Sequence, residues 1–151
     1  MAIQKCVVAV PARLQSSRLP NKVLADIGGK PMIQRVLERC RESTAVDTVV
    51  LCTDSQELQQ RAAVWGFPVL MTAESCSSGS DRIASVADAL MELAWGNATP
   101  VAEQTAVINV QGDQPFIDPQ VIDAMAAEFR QLDPVPAVVT PVYGLKPETV
   151  H

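Results

Sequence analysis

Arg13, Arg18 and Lys22 place three fixed cations within ten residues, in the loop that follows the apolar run Cys6-Val7-Val8-Ala9-Val10. That run is short, rich in β-branched residues and closed by Pro11, the pattern of a buried strand rather than of a helical segment. Ligands of open α/β sheets bind beyond the carboxyl ends of strands, and two forked guanidinium groups with one ammonium there suit a polyanion such as a nucleoside triphosphate. A second group has the same placement. Gln111-Gly112-Asp113-Gln114-Pro115 directly follows the apolar residues 106–110, so it is expected on the same sheet edge. Gly112 permits close backbone approach, and Asp113 offers the hard oxygen that Mg²⁺ takes when it is shared with phosphates and water. A third group, Ser77-Ser78-Gly79-Ser80-Asp81-Arg82, stands at a helix start. Its hydroxyls and backbone N–H groups could hold a base, a ribose or a phosphate, although Ser78 or Ser80 would cap the helix in any case.

Alternating strands and helices must position these groups. Gly28-Gly29-Lys30-Pro31 reads as a turn with proline at a helix's first position, and Met32, Ile33, Val36, Leu37 and Cys40 then recur at helical spacing. Residues 48–52 form the next strand. Asp54 or Ser55 caps a helix that runs to Trp65 and stops at Gly66, and a short strand follows at 69–71. One helix from Ser78 or Ser80 carries Ile83, Val86, Ala87, Leu90 and Leu93 or Ala94 on one stripe. After the strand at 106–110, Asp118-Pro119 opens a helix bearing Val121, Ile122, Met125 and Phe129, which Pro134 and Pro136 end, and residues 137–142 read as a last strand. This order predicts an α/β fold with a mostly parallel sheet and helices on both faces, organised as one domain over residues 1–151.

Composition narrows the class. Apolar residues make up 48% and charged residues 19%, a globular balance, and no run approaches the roughly 18 apolar residues of a membrane span. With no signal-peptide pattern after Met1, a cytoplasmic protein without a membrane partner is expected. The net charge of −5 is unevenly spread: residues 1–41 carry +6 and the remainder −11. An acidic chain with one basic end disfavours nonspecific nucleic-acid binding and suits a small anion held beside a metal. Arg35, Arg39 and Arg41 fall late in the first helix, where they complement its carbonyl end and are not expected to meet substrate. Cys6, Cys40 and Cys52 sit in apolar segments as reduced packing residues, whereas Cys76 lies in a polar loop that could face a pocket. The single histidine, His151, is terminal, so no Cys/His dyad is available. Neither G-x-x-x-x-G-K-[ST] nor G-x-G-x-x-G follows a strand, which removes the P-loop and dinucleotide readings.

Val10-Pro11-Ala12-Arg13, Ser17-Arg18-Leu19-Pro20-x-Lys22, Gly29-Lys30-Pro31-Met32-Ile33, Thr53-Asp54, Ser78-Gly79-Ser80-Asp81-Arg82 and Asn109-Val110-Gln111-Gly112-Asp113-Gln114-Pro115 together resemble the 3-deoxy-manno-octulosonate (Kdo) cytidylyltransferases, the CMP-Kdo synthetases. The resemblance spans nearly the whole chain. It implies a Rossmann-like nucleotidyltransferase fold and transfer of CMP from CTP to an eight-carbon acid sugar, with release of pyrophosphate, for lipopolysaccharide biosynthesis. By the same resemblance Ala12, Arg13, Arg18 and Lys22 hold the nucleotide's phosphates, with Pro11 also in the nucleotide site, Ser78, Gly79 and Arg82 its cytidine side, Gln111 the sugar, and Asp113 the Mg²⁺. Lys22, Arg13 and Asp113 are then the catalytic set. Two positions depart from the family pattern, which has Thr where Ser80 stands and Glu where Gln114 stands. Family members run about half as long again as this chain and form homodimers, so a nucleotide half truncated at its C-terminus is expected. The rival readings are a CTP-binding fragment without catalysis and a cytidylyltransferase for sialic acid or a related acid sugar.

Overall fold

From Cys6 to Ala12 every side chain is buried, which a strand sustains only when neighbours flank it and layers cover both its faces. The computed structural model describes residues 3–15, 20–131 and 138–139. Along the chain come β1 (Lys5–Ala12), the hairpin strands β2 (Asp26–Ile27) and β3 (Lys30–Pro31), α1 (Met32–Arg41), β4 (Thr48–Thr53), α2 (Gln56–Trp65) and β5 (Val69–Met71). Then follow α3 (Gly79–Ala84), α4 (Ala87–Trp95), β6 (Thr105–Asn109), α5 (Pro119–Gln131) and β7 (Val138–Val139). The main sheet has the order β5-β4-β1-β6-β7 with all pairings parallel. One face packs Cys6, Val8 and Val10 against Ile33, Val36 and Leu37 of α1, Leu58 of α2, and Ile122 and Phe129 of α5. The other packs Val7, Ala9, Val50, Cys52 and Val107 against Ile83, Leu90 and Ala94 of α3 and α4. The α/β class with helices on both faces is as expected. Among the described residues no helix is long and apolar enough to cross a membrane.

The caps and stops behave as their chemistry requires. Ser55 accepts from Leu58 N at 3.1 Å, Gly66 ends α2 at φ 89°, and Asp118 Oδ1 accepts from Gln120 N at 2.9 Å beside Pro119. Three expectations need correction. Pro11 does not close β1 but lies inside it, paired with Cys52 of β4. On the other side β6 pairs only as far as Ala9, so the proline sits where β1 has one neighbour and its missing N–H costs little. Pro31 precedes α1 rather than occupying its first position, with an extended ψ of 147°. The single helix expected after Ser78 is two helices. Ser85 Oγ donates to Arg82 O at 2.7 Å and Val86 N donates to Ile83 O, so a side chain has taken part of the helical ladder and bent the chain there. Leu93 is exposed while Ala94 carries the buried stripe. The proline stops at 134 and 136, and the strand residues expected either side of β7, lie outside the described residues.

Candidate functional site

The chain leaves β1 first toward β4 and later returns to β6 on its opposite side. Loops after β1 and β6 therefore diverge at a topological switch point, where open α/β sheets form their ligand crevice. Pairing of Ala9 with Asn109 sets the two loops level, and a cleft of about 280 Å³ opens between them. Pro11, Ala12, Arg13 and Lys22 line it from the first loop; Gln111, Gly112 and Asp113 from the second; Ser78, Gly79 and Arg82 from the start of α3. Every expected site residue but one thus shares a single cavity. Arg18 lies outside the described residues.

Local structure explains how distant positions meet. Asn21 N donates to Leu14 O at 2.7 Å, tying together the two ends of the cationic loop and bringing Lys22 back beside Arg13. Asn21 turns the chain at φ 62°, a left-handed conformation that asparagine tolerates better than most residues. The next residues form a short 3₁₀ turn anchored by buried Val23. Val23 also lines the cleft, and its only signal in the sequence was an apolar residue inside a polar loop. On the facing loop, a Cβ on Gly112 would stand 3.0 Å from Ala12 Cβ and 3.2 Å from Pro11 O. Its freedom therefore serves contact with β1's backbone. Gln111 N donates to Gln114 Oε1 at 3.2 Å, so the amide at 114 supplies a neutral acceptor that closes the turn. Arg39 Nε donates to Ile117 O at 3.0 Å, fastening the end of that loop to α1.

Lys22 Nζ and Asp113 Oδ2 stand 3.2 Å apart across the cleft, both about half-exposed. The pair joins the loop after β1 to the loop after β6. Among the described residues no three His, Cys, Asp or Glu side chains gather. A divalent cation here would take Asp113 from the protein and its other ligands from phosphate oxygens and water, which is how Mg²⁺ is held on nucleotides. The exposed carboxylate fits that arrangement.

Arg82 differs from the other cations in being only 3% exposed. Its Nη1 donates to the Thr72 hydroxyl and to Ala73 O at 3.3 Å, and its Nη2 lies 3.9 Å from Asp54. It braces the loop after β5 against the carboxyl end of β4 while forming part of the cleft wall. Ser78 Oγ accepts from Asp81 N at 3.1 Å, so it caps α3 as its position suggested. Cys76 lines the cleft. Burial pushes the Cys6 thiol up to about 11 and those of Cys40 and Cys52 to about 12, which leaves these three as inert packing groups.

Residues 7–149 match the family model described as cytidylyltransferase. The chain belongs to the cytidylyltransferase family. It is 43% identical over 128 residues to the 3-deoxy-manno-octulosonate cytidylyltransferase of Nitratidesulfovibrio vulgaris (strain DP4), covering 85% of this chain and 47% of that protein. A solved CMP:2-keto-3-deoxy-manno-octonic acid synthetase complexed with CTP superposes with a TM-score of 0.75 at 34% identity, over 88% of this chain and 50% of that one. A cytidylyltransferase from Leptospira borgpetersenii serovar Hardjo-bovis (strain JB197), at 21% identity and a TM-score of 0.63, shares the fold. The chain spans about half the length of the relatives it matches, so those relatives exceed it by more than the sequence resemblance implied.

Proposed function

We propose that this chain is the nucleotide-binding domain of a Kdo cytidylyltransferase, holding CTP in the cleft between β1 and β6. The observation that carries this reading is the Lys22–Asp113 pair at 3.2 Å, with Arg13 beside it in one cavity. Ala12, Arg13 and Lys22 would meet the triphosphate, with Arg18 added from the same loop, and Pro11 would pack along the nucleotide. Ser78, Gly79 and Arg82 would form the cytidine wall, and Gln111 would face the acid sugar. Asp113 would hold Mg²⁺, whose bound charge neutralises triphosphate oxygens.

In the transfer, the sugar's anomeric hydroxyl oxygen bonds to the α-phosphorus in line. The bond from that phosphorus to the bridging oxygen breaks, pyrophosphate leaves with the electron pair, and the hydroxyl proton passes to solvent. Lys22 and Arg13 stabilise charge building on the α-phosphate and on the departing pyrophosphate. Such transfers depend on positioning and cation clamping rather than covalent help, so no histidine is required. The need for CTP favours a cytoplasmic location for the reaction. Half coverage of the relatives favours a second reading, in which these 151 residues bind CTP without completing transfer.

Calorimetry with CTP, ATP and GTP in Mg²⁺, followed by pyrophosphate release on adding Kdo or sialic acid, tests both. Selective CTP binding with release on Kdo supports the full reading. CTP binding without release for either sugar supports the second, and failure to bind CTP overturns both.

A further inference from the structure

Asn109 ends β6 on the face where Val107, two residues earlier, packs under α3 and α4. It is 1% exposed, and its Nδ2 is, among the described residues, the one buried side-chain polar atom without a hydrogen-bond partner. An unpaired buried amide N–H costs stability that an apolar side chain of similar size would not. The three residues before it, Ala106, Val107 and Ile108, are all apolar and buried. A polar residue kept at a cost in a core position marks a site where function outweighs stability.

Its other amide atom shows what the cost supports. Asn109 Oδ1 accepts from Gln111 Nε2 at 3.0 Å. Gln111 is confined on a second side by Gly79, where a Cβ would stand 3.1 Å from both Nε2 and Oε1, and its backbone N–H is taken by Gln114. A free glutamine amide can present either its carbonyl or its N–H edge by rotation at χ3. Pairing with Asn109 takes one edge of that amide and holds its plane in place, leaving the other edge for a ligand. The Oε1 has no protein donor among the described residues and belongs to a side chain in the cleft wall with Asp113.

We propose that Asn109 is a positioning residue that holds the Gln111 amide so that its remaining edge meets a hydroxyl of the acid sugar. This rests on the function proposed above. The test uses the 151-residue chain with saturating Mg²⁺ and CTP, and compares wild type with Asn109→Leu, Gln111→Ala and the double variant. Melting temperature, CTP affinity and Kdo affinity by saturation-transfer NMR are measured for each. Asn109→Leu should melt at or above the wild-type temperature and bind CTP within about twofold. Its Kdo affinity should fall about fivefold to tenfold, the loss expected for one hydrogen bond. Gln111→Ala should lose a similar factor and the double variant no more than either. Where Asn109→Leu proves too bulky to fold, Asn109→Ala takes its place with the same expectations for affinity. Unchanged Kdo affinity, or losses that add in the double variant, would overturn the assignment. So would a wild-type chain that binds CTP but no Kdo, with the nucleotide reading left standing; no CTP binding would remove both.

Discussion

Replacing Lys22 with methionine removes one charge while keeping most of the side chain's bulk, and the structure fixes what should follow. The ammonium lies 3.2 Å from Asp113 with both partners nearly half-exposed, 43% and 48%. At that distance the Coulomb attraction in a water-like dielectric is about 1 kcal/mol, and the entropy of holding two side chains together offsets part of it. Folding stability should therefore fall by less than about 1 kcal/mol, a melting shift of roughly 2–4 °C at most for a chain of this size. The nucleotide should respond much more strongly. A charge-assisted hydrogen bond to phosphate contributes about 1.5–3 kcal/mol, so Mg²⁺·CTP affinity should drop roughly tenfold to a hundredfold. Lys22→Arg should recover part of the loss, because the charge returns in a different shape. Calorimetry at low and high salt measures both effects, and the wild-type advantage should shrink as salt screens the cleft. Equal affinity of Lys22→Met and wild type across the salt series would refute the assignment of this cleft to a triphosphate.

Three further outcomes are expected. Asp113→Asn should abolish the gain in CTP affinity that Mg²⁺ gives the wild type; a titration in which the variant still responds to Mg²⁺ argues against a metal at Asp113. At pH 8 a thiol reagent should label Cys76 far ahead of the three buried cysteines, and CTP should slow that labelling because Cys76 lines the cleft; fast labelling of two or more thiols, or no protection, contradicts the geometry. The Asp123 carboxylate is held below the usual carboxylate range mainly by the Ser43 hydroxyl, with help from the backbone of Ala45 and Thr44. A lowered carboxylate contributes stability above its unfolded value of about 3.9 and loses it as pH falls through the lower folded value. Urea midpoints of wild type and Asp123→Asn should accordingly converge below about pH 4, and a gap independent of pH would discount that contribution.

Local rules made most of the fold legible. Ser55, Gly66 and Asp118-Pro119 act through their own backbone, so their roles could be read without knowing what surrounds them. The break between α3 and α4 could not, because Ile83, Leu90 and Ala94 keep one stripe on both sides of it and only the Ser85 hydroxyl marks the bend. The site was readable as three segments that each follow a strand or begin a helix. That β1 and β6 are neighbours, and that the cleft lies between them, depends on strand order, which apolar runs do not encode. Asn109 stands in the last motif with no role legible there, for a related reason. Its importance rests on an unpaired atom and a bond to Gln111, neither of which has a composition or a period.

Charge clustering alone would have misidentified the site. Among the basic residues before position 42, Lys30 pairs with Glu38 at 2.8 Å and Arg35 is spent on the carbonyls of Ile27 and Gly28. Arg39 holds Ile117 O, and Arg41 stacks over Phe67 with 4.3 Å to the ring centroid. Those four side chains fix the hairpin, the loop after Asp113 and the turn before β5, so their charges serve geometry. Arg13 and Lys22 are the described cations of that region that reach the cleft, and what separates them from the rest is that their loop leaves the carboxyl end of a central strand. In a chain of net charge −5 a polyanion is repelled from most of the surface, so a small cationic opening selects where it docks as well as how tightly. Position relative to a strand end is therefore the better guide to ligand-binding charge than the number of charges in a window.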